Sequence, residues 1–366
     1  MVKNMQRRDF LKLMAGAALV LPIAGCSTGA KTSPGSDSDT SSKSSVAPAT
    51  VRWNAGTSGN VLLTIAKAKG WFEEQGITIE MIEATAVADA MTLLNTGKVD
   101  VVSNSGTAAP LQQIAKGQDF VIFGGHMVTG CMPIIAKKGV AWNGPQDFVG
   151  KTVAANPSYF ALTGAVMDLG EDPMTAVNWM VTSSYPDAYA AVVRGEADYA
   201  LQGTGHVQKC KESKDVDIMC YQSDIMADYS CCRMECERGW IEKNPELAKK
   251  VLVTLLRSQA YYEANKEEAV KLHAKETGVD EGYVKAFMLD KHYKVHVDPL
   301  KNSVVRAWGI LDKTGFLDEK AKSIKIEDHI ETKLYEEALA EAKGLYGSEY
   351  PDFFPKAEDF FKAQTS

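Results

Sequence analysis

The sequence predicts an α/β protein built from two similar, doubly wound lobes, and three observations carry that prediction. From Val51 onward, short apolar stretches of strand length alternate with amphipathic stretches of helix length. One unit, "LNTGKVDVV" at residues 94–102, returns as "VVRGEADYA" at residues 192–200. The stretch from Val51 to Ser366 is also too long for one small core.

The chain opens with a segment of a different kind, "QRRDFLKLMAGAALVLPIAGC" at residues 6–26. Its apolar run, Leu13 to Ile23, falls short of the roughly 20 residues that a packed transmembrane helix needs. Positive charge before the run and small residues after it make a signal peptide. Ile23-Ala24-Gly25-Cys26 resembles the lipobox of bacterial lipoproteins, whose cysteine carries a diacylglycerol, so Cys26 is the expected lipidation site and residues 1–25 the cleaved signal. Arg7-Arg8-Asp9-Phe10-Leu11-Lys12 resembles the twin-arginine export signal, with Gln6 where that pattern has Ser or Thr. A basic leader for the ordinary secretion route is the alternative. Residues 26–50 are rich in Ser, Thr, Gly, Pro and Asp, hold one Val and no aromatic, and read as a flexible tether.

The elements of the body follow in order. Residues 51–53 read as a strand, 61–72 as a helix with Leu62, Ile65, Ala66 and Lys69 near one stripe, and 78–82 as a second strand. A helix over 88–94 and a strand over 99–102 complete a βαβα order, which implies a parallel sheet covered by helices on both faces. In the repeated unit Gly97 and Gly195 suit the left-handed cap that ends a helix, and Asp100 and Asp198 follow at the same distance. Both copies run into a small polar loop, Ser103 to Thr107 and Gln202 to Gly205, at the carboxyl end of a strand, where ligands bind in open α/β sheets.

Charge narrows the function. The whole chain carries −7; residues 1–25 hold four cations against one carboxylate, so the chain from Cys26 on stands three charges lower, at −10. That balance argues against a nucleic-acid partner. No later apolar run is long enough to span a membrane. No Gly-x-Ser-x-Gly, phosphate-binding P-loop or His-Glu-x-x-His stretch occurs.

Four stretches in order, "GNVLLTIAKAKGWFEEQGITIEMIEA", "LLNTGKVDVVSNSGTAAP", "DFVGKTVAANPSYFAL" and "ERGWIEKNPELAKKVLVTLLRS", resemble substrate-binding proteins of ABC transporters that serve nitrate, aliphatic sulfonates, taurine and thiamine-pyrimidine precursors. The resemblance runs from Val51 to about Ala340. It implies a type II periplasmic-binding-protein-like fold with two crossings between lobes, near 130–134 and 219–230. The lobes would be 51–132, 133–225 and the return 226–366 with its C-terminal helices. It further implies a monomer, without cofactor or catalytic residues, held at the outer face of a membrane by its lipid. Its partners would be a small organic ligand and separate permease and ATPase chains.

In such a protein the ligand meets loops that start helices. The candidates are Thr57, Ser58, Gly59 and Asn60 before the first helix, then Ser103, Asn104, Ser105 and Thr107. Across the cleft they are Asn156, Ser158 and Tyr159, with Gln202 and Thr204 in the repeated loop. Backbone N–H groups at helix starts favour an anionic or electron-rich group; the same residue types are also common N-caps. These loops hold no Arg or Lys, so a neutral or zwitterionic ligand fits them at least as well as a sulfonate. Arg52, Arg194 and Arg233 are the cations nearby in sequence. Tyr159, Phe160 and Tyr185 offer faces for a flat ring.

Six cysteines lie beyond Cys26: Cys131, Cys210, Cys220, Cys231, Cys232 and Cys236. In an exported domain they allow up to three disulfides; they read either as buried small apolar side chains or one disulfide, or as a metal or redox site. In a strand Cys231 and Cys232 would point apart. "CCRMEC" loosely resembles the Cys-Cys-Cys-Phe-Cys motif of iron-dependent pyrimidine-precursor synthases that share this fold. An enzyme using Cys231, Cys232 and Cys236 is therefore the alternative function. His292, His296 and Asp298 share a face at metal-ligand spacing, but without a third close ligand such a pair is usually structural. "NPELAKKVL" reads as a helix start capped by Asn244 with Pro245 in its first turn and Leu247, Val251, Leu255 and Tyr262 as its buried stripe. An acidic helix over about 327–343 reads as a solvated outer face.

Overall fold

The computed structural model describes residues 49–56, 59–84 and 87–366. The signal, Cys26, most of the tether, Thr57 and Ser58 lie outside them. Among the described residues eleven strands, β1 (Ala49–Asn54), β2 (Ile77–Met81), β3 (Val101–Ser103), β4 (Phe120–Gly130), β5 (Pro133–Lys137), β6 (Thr152–Ala154), β7 (Asn178–Trp179), β8 (Tyr199–Leu201), β9 (Val216–Tyr221), β10 (Cys232–Glu237) and β11 (Tyr293–Val295), form two sheets. The six-stranded sheet has the order β11-β4-β10-β3-β1-β2 and the five-stranded sheet β7-β6-β8-β5-β9.

Among the described strands the parallel pairs are those of the βαβ units, β1 with β2 and β3, and β6 with β7 and β8. The expected all-parallel sheet is thus corrected to two mixed ones. The antiparallel pairs come from strands that leave and re-enter each sheet. β4 runs into β5 through Cys131 and Met132, and β9 returns to β10 through residues 222–231. β10 pairs antiparallel with β4, and β9 with β5, so the two crossings run side by side. Cys131, Asp228 and Ser230 take left-handed φ of +49°, +45° and +63° in these crossings. Side-chain-bearing residues rarely hold that conformation unless the surroundings impose it.

The repeat is a structural repeat. Gly97 and Gly195 both end helices with left-handed φ, +63° and +77°, a conformation that costs Gly little. Asp100 accepts the Arg52 backbone N–H at 2.8 Å and donates its own N–H to the Arg52 carbonyl at 2.8 Å. Asp198 does the same with Thr152, at 2.9 Å each way. Each Asp therefore ties the loop after a helix to the first strand of its sheet, and aims β3 and β8 at the same side.

Local chemistry moves some boundaries. The helix expected over 61–72 is two, Val61–Ala68 and Trp71–Glu74, because Gly70 takes φ +71° between them. Lys69 leaves the apolar stripe and pairs with Glu268 at 3.0 Å. Asn244 does not cap with its side chain but donates Nδ2 to the Trp240 carbonyl. The helix Pro245–Ala264 buries twelve residues, Val251, Leu255 and Tyr262 among them, while Leu247 is only partly covered. The helix Thr332–Tyr346 is not merely a solvated face: Tyr335, Ala338, Leu339 and Ala342 are buried in the core that also holds Val251 and Leu255. Large apolar side chains buried this way contribute about 1.5–3 kcal/mol each.

Candidate ligand-binding site

A cavity of about 640 Å³ opens between the carboxyl ends of β3 and β8, within the range of small-molecule sites, about 300–1,000 Å³. The loop after β3 and the helix start that follows it bring Asn104 to Ala109 and Gln112. The stretch after β6 brings Asn156, Ser158, Tyr159, Phe160 and Ala161, and the loop after β8 brings Gly203 to His206. The second crossing contributes Tyr229 to Cys232, with Gln222 at its beginning. Of the residues named from sequence, Asn104, Ser105, Thr107, Asn156, Ser158, Tyr159 and Thr204 line this cavity, as do Phe160 and Tyr185.

Four others do not. Asn60 is buried and spends its side chain on its own helix, accepting from Leu62 N and Leu63 N, so that helix start is already satisfied. Ser103 is fully buried and accepts from Trp53 Nε1 at 2.9 Å and Asn60 Nδ2 at 3.2 Å. Gly59 lies against His273 and accepts from Asn104 Nδ2 at 2.5 Å. Gln202 is fully buried, with Nε2 donating to the Leu201 carbonyl. These residues support the wall behind Asn104 and Thr204.

Two helices begin at the cavity with their N-termini uncapped. The helix Ala108–Ala115 follows Thr107, whose hydroxyl instead donates to the Ser230 carbonyl at 2.6 Å, and the helix Phe160–Met167 follows Tyr159. Uncapped backbone N–H groups with the positive dipole end favour an electron-rich edge of a ligand. Two buried side-chain atoms at the cavity have no protein partner, Ser105 Oγ and Gln222 Nε2. Asn104 holds φ +62°. Tyr159 and Tyr185 share a hydrogen bond at 2.6 Å. Gly203 and Gly205 leave no room for a Cβ, which would lie 2.6 Å from the Tyr185 ring and 2.1 Å from the Tyr283 hydroxyl. The small loop thus lets both aromatics close over it.

Among the described residues no Asp, Glu, Lys or Arg lines the cavity. Burial, with Lys209 nearby, pushes the His206 imidazole down, so it stays neutral. Burial pushes the Tyr159 and Tyr185 hydroxyls up. The three candidate cations are engaged elsewhere. Arg52 pairs with Asp100 at 2.5 Å and Arg194 with Glu196 at 2.7 Å. Arg233 is fully buried, donating to the Asp298 and Met127 carbonyls at 2.5 Å each. His292 and His296 do not converge: His292 stacks on Tyr221 and pairs with Asp290, whereas His296 is buried against Phe360.

The model of the family described as "NMT1/THI5 like" matches residues 60–269, more than half of the chain. The chain belongs to that family. No curated protein matches it. Solved structures of similar shape include the periplasmic aliphatic sulphonate binding protein SsuA of Escherichia coli. It is 19% identical, with a TM-score of 0.63 over 75% of this chain and 90% of that one. The alkanesulfonate-binding protein SsuA of Xanthomonas axonopodis pv. citri, bound to MOPS, is 18% identical, with a TM-score of 0.61 over 78% and 99%. The periplasmic nitrate-binding protein NrtA of Synechocystis PCC 6803 is 16% identical, with a TM-score of 0.62 over 84% and 92%. The fold is that of periplasmic binding proteins.

Several lining residues escape sequence reasoning. His206 adjoins the repeated loop and was within its reach. Gln222, Tyr229 and Ser230 sit in the second crossing, where no motif marks a side chain as ligand-facing. Tyr283 comes from the helix Glu281–Met288, far along the chain. Cys231 and Cys232 also line the cleft, a placement that no sequence pattern marks. Their sulfurs lie 3.6 Å apart instead of pointing apart, because β10 begins at Cys232 and its register slips just after it. Cys236 is buried in β10, four residues and roughly 13 Å along the strand from Cys232. The three sulfurs of the enzyme reading therefore do not meet.

Proposed function

We propose that this chain is the extracytoplasmic binding protein of an ABC importer and captures a small, uncharged, flat organic molecule between its two lobes. The observation that carries the reading is a cleft with hydrogen-bonding and aromatic groups on both sides and, among the described residues, no Asp, Glu, Lys or Arg. A sulfonate or nitrate would enter with only dipoles and hydroxyls to replace its hydration, a costly exchange for a desolvated anion. An aminopyrimidine brings ring nitrogens for the two helix N-termini, donors for Ser105, and a face for Tyr159 or Phe160. Thr57 and Ser58, which lie outside the described residues, remain candidates. Gly59, Asn60, Ser103 and Gln202 act from behind it.

The protein works by binding, without catalysis. Lobes that part and meet about the paired crossings offer a permease different faces when empty and filled. The permease and ATPase are separate chains, the protein is a monomer, and acylated Cys26 tethers it to the outer face of a membrane. Thermal unfolding with added probes tests the reading. An aminopyrimidine alcohol is expected to raise the melting temperature, and ethanesulfonate and nitrate to leave it unchanged. Stabilisation by either anion at micromolar concentration, with no effect of the pyrimidine, would overturn it.

A further inference from the structure

Cys231 and Cys232 are the cavity groups that binding leaves unused. The Cys232 thiol donates to the Cys231 sulfur across 3.6 Å, and both residues line the cavity. Neighbours in a regular strand face opposite ways. Here Ser230, at φ +63°, and the register slip after Cys232 turn both side chains to one side. Gly130 makes the space: a Cβ there would lie 2.6 Å from the Cys231 sulfur. Cys231 is partly exposed, whereas the five other cysteines of the body are buried. The proton donated by Cys232, a hydrogen bond with Tyr229 and the buried Arg233 hold the Cys231 thiol below its ordinary value against burial, while Cys232 is pushed up as the donor. Cys231 is thus the reachable, more nucleophilic sulfur, and Cys232 stands ready behind it.

We propose that Cys231 and Cys232 form a reversible redox-modification site in the cleft wall, closing to a vicinal disulfide when a low-molecular-weight disulfide enters. The Cys231 thiolate attacks one sulfur of the oxidant, the oxidant's S–S bond breaks, and one thiolate leaves. Cys232 then loses its proton and attacks the Cys231 sulfur, displacing the second thiolate. The protein gives up two electrons and two protons, and the oxidant takes up both pairs to leave as two thiols. Adjacent Cα atoms are held about 3.8 Å apart, closer than the usual disulfide range of about 4.4–6.8 Å, which strains the bond. The bond is therefore readily reduced, a switch rather than a staple. Closure replaces two S–H groups in the wall with an apolar edge, altering the surface a ligand meets. The inference rests on the exported-protein reading only for its natural oxidant.

The test supplies its own. Full-length protein in detergent is reduced, exposed to oxidised glutathione, alkylated, and cut with chymotrypsin after Tyr229 and Met234. The fragment 230–234 is expected to carry no alkyl group and to be lighter by two hydrogens, and dithiothreitol should restore both thiols. Cys232→Ser should trap the glutathione adduct on Cys231, and Cys231→Ser should leave Cys232 unmodified. Full alkylation of the oxidised wild-type fragment, a persistent adduct on it, or linkage to Cys131 or Cys220 would overturn the proposal. No transported molecule enters this assay, so its failure leaves the binding reading untouched. Failure of the aminopyrimidine to bind would leave the disulfide untouched.

Discussion

Replacing Ser105 with Ala separates a ligand-facing hydroxyl from a structural one, because the two roles predict opposite signs. Ser105 is buried and its Oγ has no protein partner. Burying an unsatisfied polar group costs about 1–3 kcal/mol, so its removal should leave the empty protein unchanged or slightly more stable. A shift of up to about 2 °C upward in melting temperature is expected. If the ligand satisfies that hydroxyl, its loss weakens binding by about 1–3 kcal/mol, or roughly 5- to 150-fold. Differential scanning fluorimetry of the empty protein and isothermal titration with the aminopyrimidine alcohol give the two numbers. A melting temperature lowered by several degrees with affinity intact would make Ser105 part of the scaffold and refute its assignment.

Three further outcomes follow from particular residues. Cys26→Ser should release the protein from the membrane fraction and abolish incorporation of labelled palmitate, if the lipobox-like Ile23-Ala24-Gly25-Cys26 directs acylation as proposed; retention with label would contradict it. Asn104→Ala should cost about 1–2 kcal/mol in urea unfolding, because it places a Cβ-bearing residue without Asn's local bonding at φ +62° and removes the bond to Gly59; Asn104→Gly should cost less, and equal losses would show that the backbone conformation is irrelevant. Asp298 is buried, and burial raises its carboxyl from 3.8 to about 6. The folded state thus holds the proton more tightly between about pH 4 and 6, and this contribution, fully present below pH 4, is lost as pH rises through 6, by about 2–3 kcal/mol. Asp298→Asn should therefore gain on wild type between pH 4.5 and 7 in urea unfolding, and parallel pH curves would contradict it.

The fold was legible where local chemistry and tertiary structure agree. Gly97 with Asp100, and Gly195 with Asp198, have to end a helix and tie a loop to a strand, so their spacing announced two similar units. Asn104, Ser105 and Asn156 were legible as polar residues at the ends of such units. Other features depend on partners remote in sequence. Nothing near Ser103 says that its hydroxyl serves Trp53, fifty residues away. Asn60 reads equally as cap or ligand, and its two backbone donors decide for the cap. Tyr283 meets the cleft only because the helices after β10 fold back over Gly205. The strand pattern set Cys231 and Cys232 on opposite faces, and a bulge, which alternation cannot reveal, put them together.

Native mass spectrometry of the purified protein bears most directly on the claim that an uncharged molecule fills the cleft. Gentle ionisation, followed by dissociation and accurate mass of whatever is released, should yield a small heteroaromatic compound with no sulfonate or nitrate group. The Ser105→Ala protein should retain less of it. Release of a sulfonate or nitrate in stoichiometric amount would mean that dipoles and hydroxyls suffice for an anion here, and the uncharged-ligand reading would fall.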